Sequence, residues 1–63
     1  MQYQIIPASE IKEGDLVVNF GVVDAIEVFT MVARIKFRES TKLSLQLNPW
    51  EMFGKDMRLT IIR

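Results

Sequence analysis

Three carboxylates, Glu10, Glu13 and Asp15, lie close together around Gly14, and clustered carboxylates can do acid–base chemistry or bind divalent cations. No second group of such residues accompanies them. The chain has no histidine and no cysteine, so the commonest general base, zinc ligand and thiolate nucleophile are absent. We therefore interpret the cluster as a solvated turn. The sequence predicts no catalytic residue, no metal site and no cofactor, in a protein that is not an enzyme.

Alternating cations are the next pattern that could carry chemistry. On a strand, side chains two positions apart share one face. A row of cations on such a face can follow a phosphate backbone, because phosphate contacts need charge and hydrogen-bond donors rather than a base code. Nucleic-acid binding is thus an alternative function, on the basic face of two predicted strands, Met31–Arg38 and Lys42–Leu47. The residues of this face are Arg34, Lys36, Arg38 and Lys42.

The charges are unevenly distributed along the chain although the formal net charge is zero. Residues 1–31 carry one basic and five acidic side chains, and residues 32–63 carry seven basic and three acidic ones. Such asymmetry can indicate a polyanion-binding face or head-to-tail packing between copies. The simpler interpretation, which we favour, is that the two halves interleave in space so that the charges pair.

Sixty-three residues predict a single domain, residues 1–63, built mainly of strands. Val23 and Ile26 both look inward, which requires a β-bulge near Asp24-Ala25. Val28–Met31 contains no turn-forming residue, so it is either a hairpin turn or part of one bent strand. A short β-favouring run, Tyr3–Ile6, ends at Pro7 or lies on an edge of the sheet. The predicted elements after it are strands Leu16–Val18, Val22–Val28, Met31–Arg38 and Lys42–Leu47, a helical turn Asn48–Gly54, and a last strand Met57–Ile62.

The stretches GDLVV, GVVDAIEV and VARIKF, between Lys12 and Phe37, resemble the opening of SH3-like barrels of the KOW type. In that family a Gly-Asp turn precedes the first strand, and a Gly-x-Val-x-x-Ile strand follows. The resemblance implies an all-β fold, a small five-stranded SH3-like barrel with one short helical turn before the last strand. The link between the first two strands lacks the longer basic, glycine-rich loop of the family, so the resemblance does not carry over ribosomal-type RNA binding.

When one face of each strand is assigned to the core, the apolar residues outnumber the inward positions, which include Ile5, Leu16, Ala33, Ile35 and Phe37. We interpret Trp50 and Phe53 as core, but Phe20 lies at a predicted turn tip where burial within its own subunit is difficult. Contiguous exposed apolar surface usually marks an interface. We therefore predict a non-enzymatic interaction or assembly module that self-associates, most simply as a two-fold dimer. Its candidate protein interface is Phe20, Val22, Phe29 and Val32.

The sequence shows no signal peptide and no membrane-spanning run, so a cytoplasmic protein is the default expectation. A protein partner other than a second copy is also compatible with the predicted interface. The sequence does not indicate a partner's identity or a biological role.

Overall fold

A computed structural model describes residues 2–63 and contains one antiparallel sheet. A 3-10 turn, Ala8–Glu10, follows the first strand, and a five-residue helix α1, Leu43–Leu47, precedes the fifth. The strands are β1 Tyr3–Pro7, β2 Leu16–Val17, β3 Gly21–Val28, β4 Val32–Arg38, β5 Trp50–Gly54 and β6 Arg58–Ile62.

The sheet must curl, because its strand order is β1-β6-β2-β3-β4-β5 and only three residues join β5 to β6. Four strand spacings separate β5 from β6, which in a flat sheet is about 19 Å. The chain from Gly54 to Arg58 reaches at most about 14 Å. Backbone hydrogen bonds hold this link: the Ala8 and Ser9 N–H groups donate to the Met57 carbonyl at 2.9 Å and the Lys55 carbonyl at 3.1 Å. The sheet is curled but not closed, and β1 and β5 form its two edges.

Two predicted segments have the opposite secondary structure. The predicted strand Lys42–Leu47 is helix α1, and the predicted helical turn Asn48–Gly54 contains strand β5. The five-strand count and the helical turn directly before the last strand are therefore wrong: residues 2–63 form six strands, and α1 precedes the last two. The cause is tertiary, because β5 pairs with β4 and this pairing places Phe53 in the core.

The irregular features of the β3–β4 hairpin agree with the prediction. The register shifts between Val23 and Ala25, so a β-bulge lies where it was predicted from the inward positions of Val23 and Ile26. The alternatives for Val28–Met31 are resolved as a hairpin, closed by a hydrogen bond of 2.8 Å from the Phe29 N–H to the Val32 carbonyl.

The core lies on the inner face of the curled sheet. In β1 and β2 the residues predicted to point inward point outward, and their neighbours point inward. Ile5 and Leu16, predicted to point inward, are exposed, whereas Val17 is buried and Ile6 packs against the core. The buried apolar residues are Ala8, Ile11, Val17, Val23, Ala33, Ile35, Phe37, Leu45, Phe53, Leu59 and Ile61.

The carboxylate cluster is a solvated turn except at Asp15, which is only 8% exposed. Arg63 donates through Nε and Nη2 to both Asp15 carboxylate oxygens at 3.1 Å, and the Lys12 N–H donates to Oδ2 at 2.9 Å. Burial by itself raises the pKa of this carboxyl, but the Arg63 and Lys12 hydrogen bonds and charges outweigh it and hold the pKa below its ordinary value of 3.8. Asp15 thus ties the first turn to the residue that follows β6.

We expect Asp15→Asn to lower the free energy of unfolding by about 1.5–3 kcal/mol at neutral pH, since hydrogen bonds to a charged group are lost. A carboxyl with a lowered folded-state pKa stabilises the protein above its ordinary value of 3.8, and this stabilisation is lost as the pH falls through the lowered pKa. Urea unfolding of both proteins should therefore show a difference that shrinks in acid. The exposed neighbour Glu13→Gln is the control, and equal stability of the wild type and Asp15→Asn at neutral pH contradicts the prediction.

Candidate interaction surface

The four predicted interface residues lie in two places rather than one. Phe20 lies in the turn before β3 and Val22 near the start of β3, while Phe29 lies in the turn that joins β3 to β4 and Val32 begins β4. Val22 and Phe29 are seven positions apart along an extended strand, which is about 23 Å. The four residues therefore do not form one contiguous patch.

Phe20 lies in a turn, as predicted, but its ring packs at the edge of the core, so the predicted difficulty of burying it was wrong. Asn19 adopts a positive φ of 70°, and the Phe20 N–H donates to the Val17 carbonyl at 3.0 Å, which turns the ring back over the sheet. The ring stacks on Phe37 with centroids 5.5 Å apart and meets Phe53 edge-on at 5.3 Å. Such contacts make it a packing residue that is half-buried.

The second pair lies at the tip of the β3–β4 hairpin. Phe29 is 49% exposed there, and Val28 and Met31 beside it are also exposed. Val32 is half-buried and lies opposite Gly54 of β5. The tip is thus a small apolar patch carried on a turn.

A larger apolar surface crosses four strands on the outer face of the sheet. In the strand register Tyr3 pairs with Ile62, Ile62 with Leu16, and Leu16 with Val22. Directly paired residues project from the same face, so these side chains form one row, here called the outer apolar row. Only Val22 was predicted to lie at an interface.

The outer apolar row is continued by two neighbouring features. Ile5 lies two positions along β1 from Tyr3, so it shares the same face, and its side chain is exposed. A groove of about 270 Å³ opens beside the row, and its lining includes Tyr3, Leu16 and Ile62 together with Phe20 and Thr41. Apolar area thus extends from the β1 edge to the turn before β3.

The predicted basic face points outward on β4, but acidic side chains of β3 pair with it. Arg34 lies 3.5 Å from Glu27, and Lys36 and Arg38 lie 3.7 and 3.8 Å from the two carboxylate oxygens of Asp24. The acidic first half of the chain therefore interleaves with the basic second half, as the simpler interpretation of the charge asymmetry expected.

Two cations of this face also cover aromatic rings. The Arg34 guanidinium lies 4.2 Å from the centroid of Trp50, and Lys42 Nζ lies 4.5 Å from that of Phe20. Trp50, interpreted from the sequence as core, is instead half-buried on the outer face of β5 beneath Arg34. Lys42 precedes helix α1 and does not lie on a strand, so the predicted face loses its second strand.

Within residues 2–63 no cluster of acidic side chains has the composition of a metal site, and no helix is long and apolar enough to cross a membrane. Comparisons with protein-family models, with curated proteins and with solved structures find no match to this chain.

The different surroundings of the two phenylalanines can be measured. We expect Phe20→Ala to lower the free energy of unfolding by about 1.5–3 kcal/mol, because a partly buried ring leaves a void against Phe37 and Phe53. Phe29→Ala should change it by no more than about 0.5 kcal/mol, because this residue is 49% exposed and lies outside the core cluster. Chemical unfolding of both variants checks this, and a Phe29 effect as large as that of Phe20 contradicts it.

Proposed function

We propose that this protein is a non-enzymatic interaction or assembly module of SH3-like architecture that associates with a second copy through apolar surface. The outer apolar row carries the proposal. Val22 contributes to it from the predicted interface, and the hairpin tip with Phe29 and Val32 is a separate and smaller candidate contact.

The size of the domain supports this proposal. A chain of 63 residues buries only about 60% of its unfolded surface, so its own core leaves apolar area uncovered. Scattered exposed aliphatic residues are ordinary, but residues in register across four strands make a contiguous patch, which is the feature that marks interfaces. A second copy of the patch is a surface of matching chemistry.

The curl of the sheet and the short β5–β6 link support the architectural part of the proposal. In an SH3-like barrel, strands wrap until the first and last segments meet. Here the residues after β1 donate hydrogen bonds to the β5–β6 link, so opposite edges of the sheet approach one another.

We expect the wild type to sediment as a mixture of monomer and dimer whose proportions depend on concentration. Ile5→Lys, in the exposed continuation of the row on β1, should weaken the association by about ten- to a hundredfold, because it removes the burial of one aliphatic side chain. Leu47→Lys makes the same change in charge at an 81% exposed residue of α1, outside the row, and should leave the association unchanged. A monomeric wild type at millimolar concentration contradicts the proposal, and so does an equal effect of the two variants.

Nucleic-acid binding remains the second candidate, and one arrangement favours it. Arg34, Lys36 and Arg38 project from one face of β4, and Trp50 on the neighbouring strand adds an aromatic surface to that face. The pairing of all three cations with Asp24 and Glu27 opposes it, because a phosphate has to displace these carboxylates.

The carboxylate at position 24 provides the test of this second candidate. If the β4 face binds phosphates, Asp24→Asn should retard single-stranded nucleic acid in a gel more strongly than the wild type, because it frees two cations. The effect should fall steeply between about 50 and 200 mM salt. Lys36→Ala in the same background should reduce the retardation. No retardation by any of these proteins at low salt removes the candidate.

A further inference from the structure

The hydrogen-bond phase of β1 leaves one side of this strand open. Gln2 and Arg63 exchange backbone hydrogen bonds of 3.2 and 3.1 Å, and the Ala8 N–H donates to Met57. Hydrogen-bonded and non-hydrogen-bonded pairs alternate along an antiparallel ladder. The backbone N–H and C=O groups of the even-numbered residues of β1 therefore point toward β6. The N–H and C=O groups of Tyr3 and Ile5 therefore point away from the sheet, and no backbone or side-chain partner reaches them within residues 2–63.

This edge carries few of the features that keep strand edges apart. Edge strands usually display charges, prolines or bulges that prevent pairing with another chain. β1 is Tyr-Gln-Ile-Ile-Pro: it has no charged residue, and its proline stands at the end. Tyr3 is 71% exposed and Ile5 is 62% exposed, so the open backbone groups are flanked by apolar side chains.

The other edge of the sheet, β5, is partly capped. There the backbone N–H and C=O groups of the odd-numbered residues point toward β4. The backbone groups of Trp50, Met52 and Gly54 therefore point away from the sheet. The Trp50 N–H already donates to Asn48 Oδ1 at 3.3 Å, and the Gly54 carbonyl accepts from the Met57 N–H at 3.0 Å. A two-fold pairing of β5 centred on Met52 needs this same donor and this same acceptor, so β1 is the edge better able to pair.

We propose that two copies of this protein pair antiparallel along β1 about a two-fold axis through Gln4, with Tyr3 of each copy opposite Ile5 of the other. This inference rests on the self-association proposed above and names the strand that mediates it. Tyr3 of each copy then exchanges two backbone hydrogen bonds with Ile5 of the other. The pairing gives four new backbone hydrogen bonds and one continuous sheet. Tyr3 and Ile5 of each copy pack side by side and join the two outer apolar rows.

The hydrogen-bond phase and Pro7 select this register. Outward-facing residues must oppose each other, so the axis passes through Tyr3, Gln4 or Ile5. An axis through Ile5 sets Tyr3 against Pro7, which has no N–H to donate. An axis through Tyr3 leaves Ile5 beyond the partner's described strand. Only the axis through Gln4 satisfies all the outward groups of Tyr3 and Ile5 from the strand itself.

The dimensions of the contact predict a weak dimer. A five-residue strand is about 17 Å long, and the shortest extent of the molecule is 15 Å. A contact with these two dimensions has an area of about 250 Å² per copy, well below the roughly 800 Å² per partner of a stable interface. The dimer should therefore dissociate on dilution, and covalent trapping is the sharper test.

Single cysteines can be introduced into this chain without interference, because it has no cysteine of its own. Gln4 and its copy form a non-hydrogen-bonded pair with Cα atoms about 4.5 Å apart, within the range of a disulfide. The two copies of Tyr3 lie about 8 Å apart, which is beyond that range. Under mild oxidation Gln4→Cys should form a covalent dimer much faster than Tyr3→Cys, and Met52→Cys should behave as Tyr3→Cys does. A faster reaction of Tyr3→Cys or Met52→Cys overturns the register or the edge, respectively.

A proline variant tests the backbone hydrogen bonds without cysteine. Ile5→Pro removes an N–H that faces away from β6, so the β1–β6 ladder is kept and circular dichroism should show the folded sheet. Its dimer dissociation constant in sedimentation should rise about tenfold or more, because each copy loses a donor. Ile5→Val keeps the N–H and should dimerise as the wild type does. A folded Ile5→Pro variant that dimerises like Ile5→Val overturns the inference.

The outcomes separate this inference from the proposed function. A wild type that dimerises, with no preferential trapping at Gln4 and no effect of Ile5→Pro, overturns the β1 pairing and leaves the module intact. A wild type that stays monomeric at millimolar concentration, with no trapping at Gln4, overturns both.

Discussion

The short link between β5 and β6 is the constraint on which the rest of this structure depends. Three residues must connect strands that four spacings separate along the sheet, and they reach only if the sheet rolls up. Rolling creates one enclosed face, which gives so short a chain a core at all. The hydrogen bonds from Ala8 and Ser9 to this link then fix where β1 leaves the sheet.

The same curl explains why so much apolar surface stays outside. A curled sheet of short strands encloses only its inner positions, and α1 adds only Leu45 to the core. The outward positions of β1, β2 and β6 face solvent, and in this chain they are largely aliphatic or aromatic. The apolar exterior is thus a consequence of architecture combined with strand segments that are apolar on both faces.

The orientation of a strand could be predicted from the sequence only where its apolar residues fall on one face. The alternation in β4 is clean, so Ala33, Ile35 and Phe37 were placed correctly, and the bulge followed from Val23 and Ile26. Ile5-Ile6 and Leu16-Val17 are apolar on both faces, so alternation gives them no phase, and their orientation was predicted wrongly. Partners elsewhere in the chain decide it, because Val17 pairs with the buried Ile61.

Segments compatible with either secondary structure fail for a related reason. Leu-Ser-Leu-Gln-Leu between residues 43 and 47 fits a strand by alternation, and it also fits one helical turn with a single buried leucine. The choice is made by β5, which occupies the place beside β4 that a strand at 43–47 would need. Similarly, the pairing of Asp15 with Arg63 joins residues 48 positions apart and has no local signal. Chain-distant pairing, rather than composition, holds this information.

Chain-distant pairing also decides which part of the candidate site is free to bind. It affects the basic face and the apolar edge differently. Cations on β4 looked available in the sequence, but the β3–β4 register brings Asp24 and Glu27 to them, so the fold itself satisfies their charge. The outward backbone groups of Tyr3 and Ile5 receive no such partner from within residues 2–63. Water can solvate these groups, but it does not cover the apolar side chains on either side of them. A second strand meets both needs at once, which is why we assign the interaction to the β1 edge and the adjoining row rather than to the basic face.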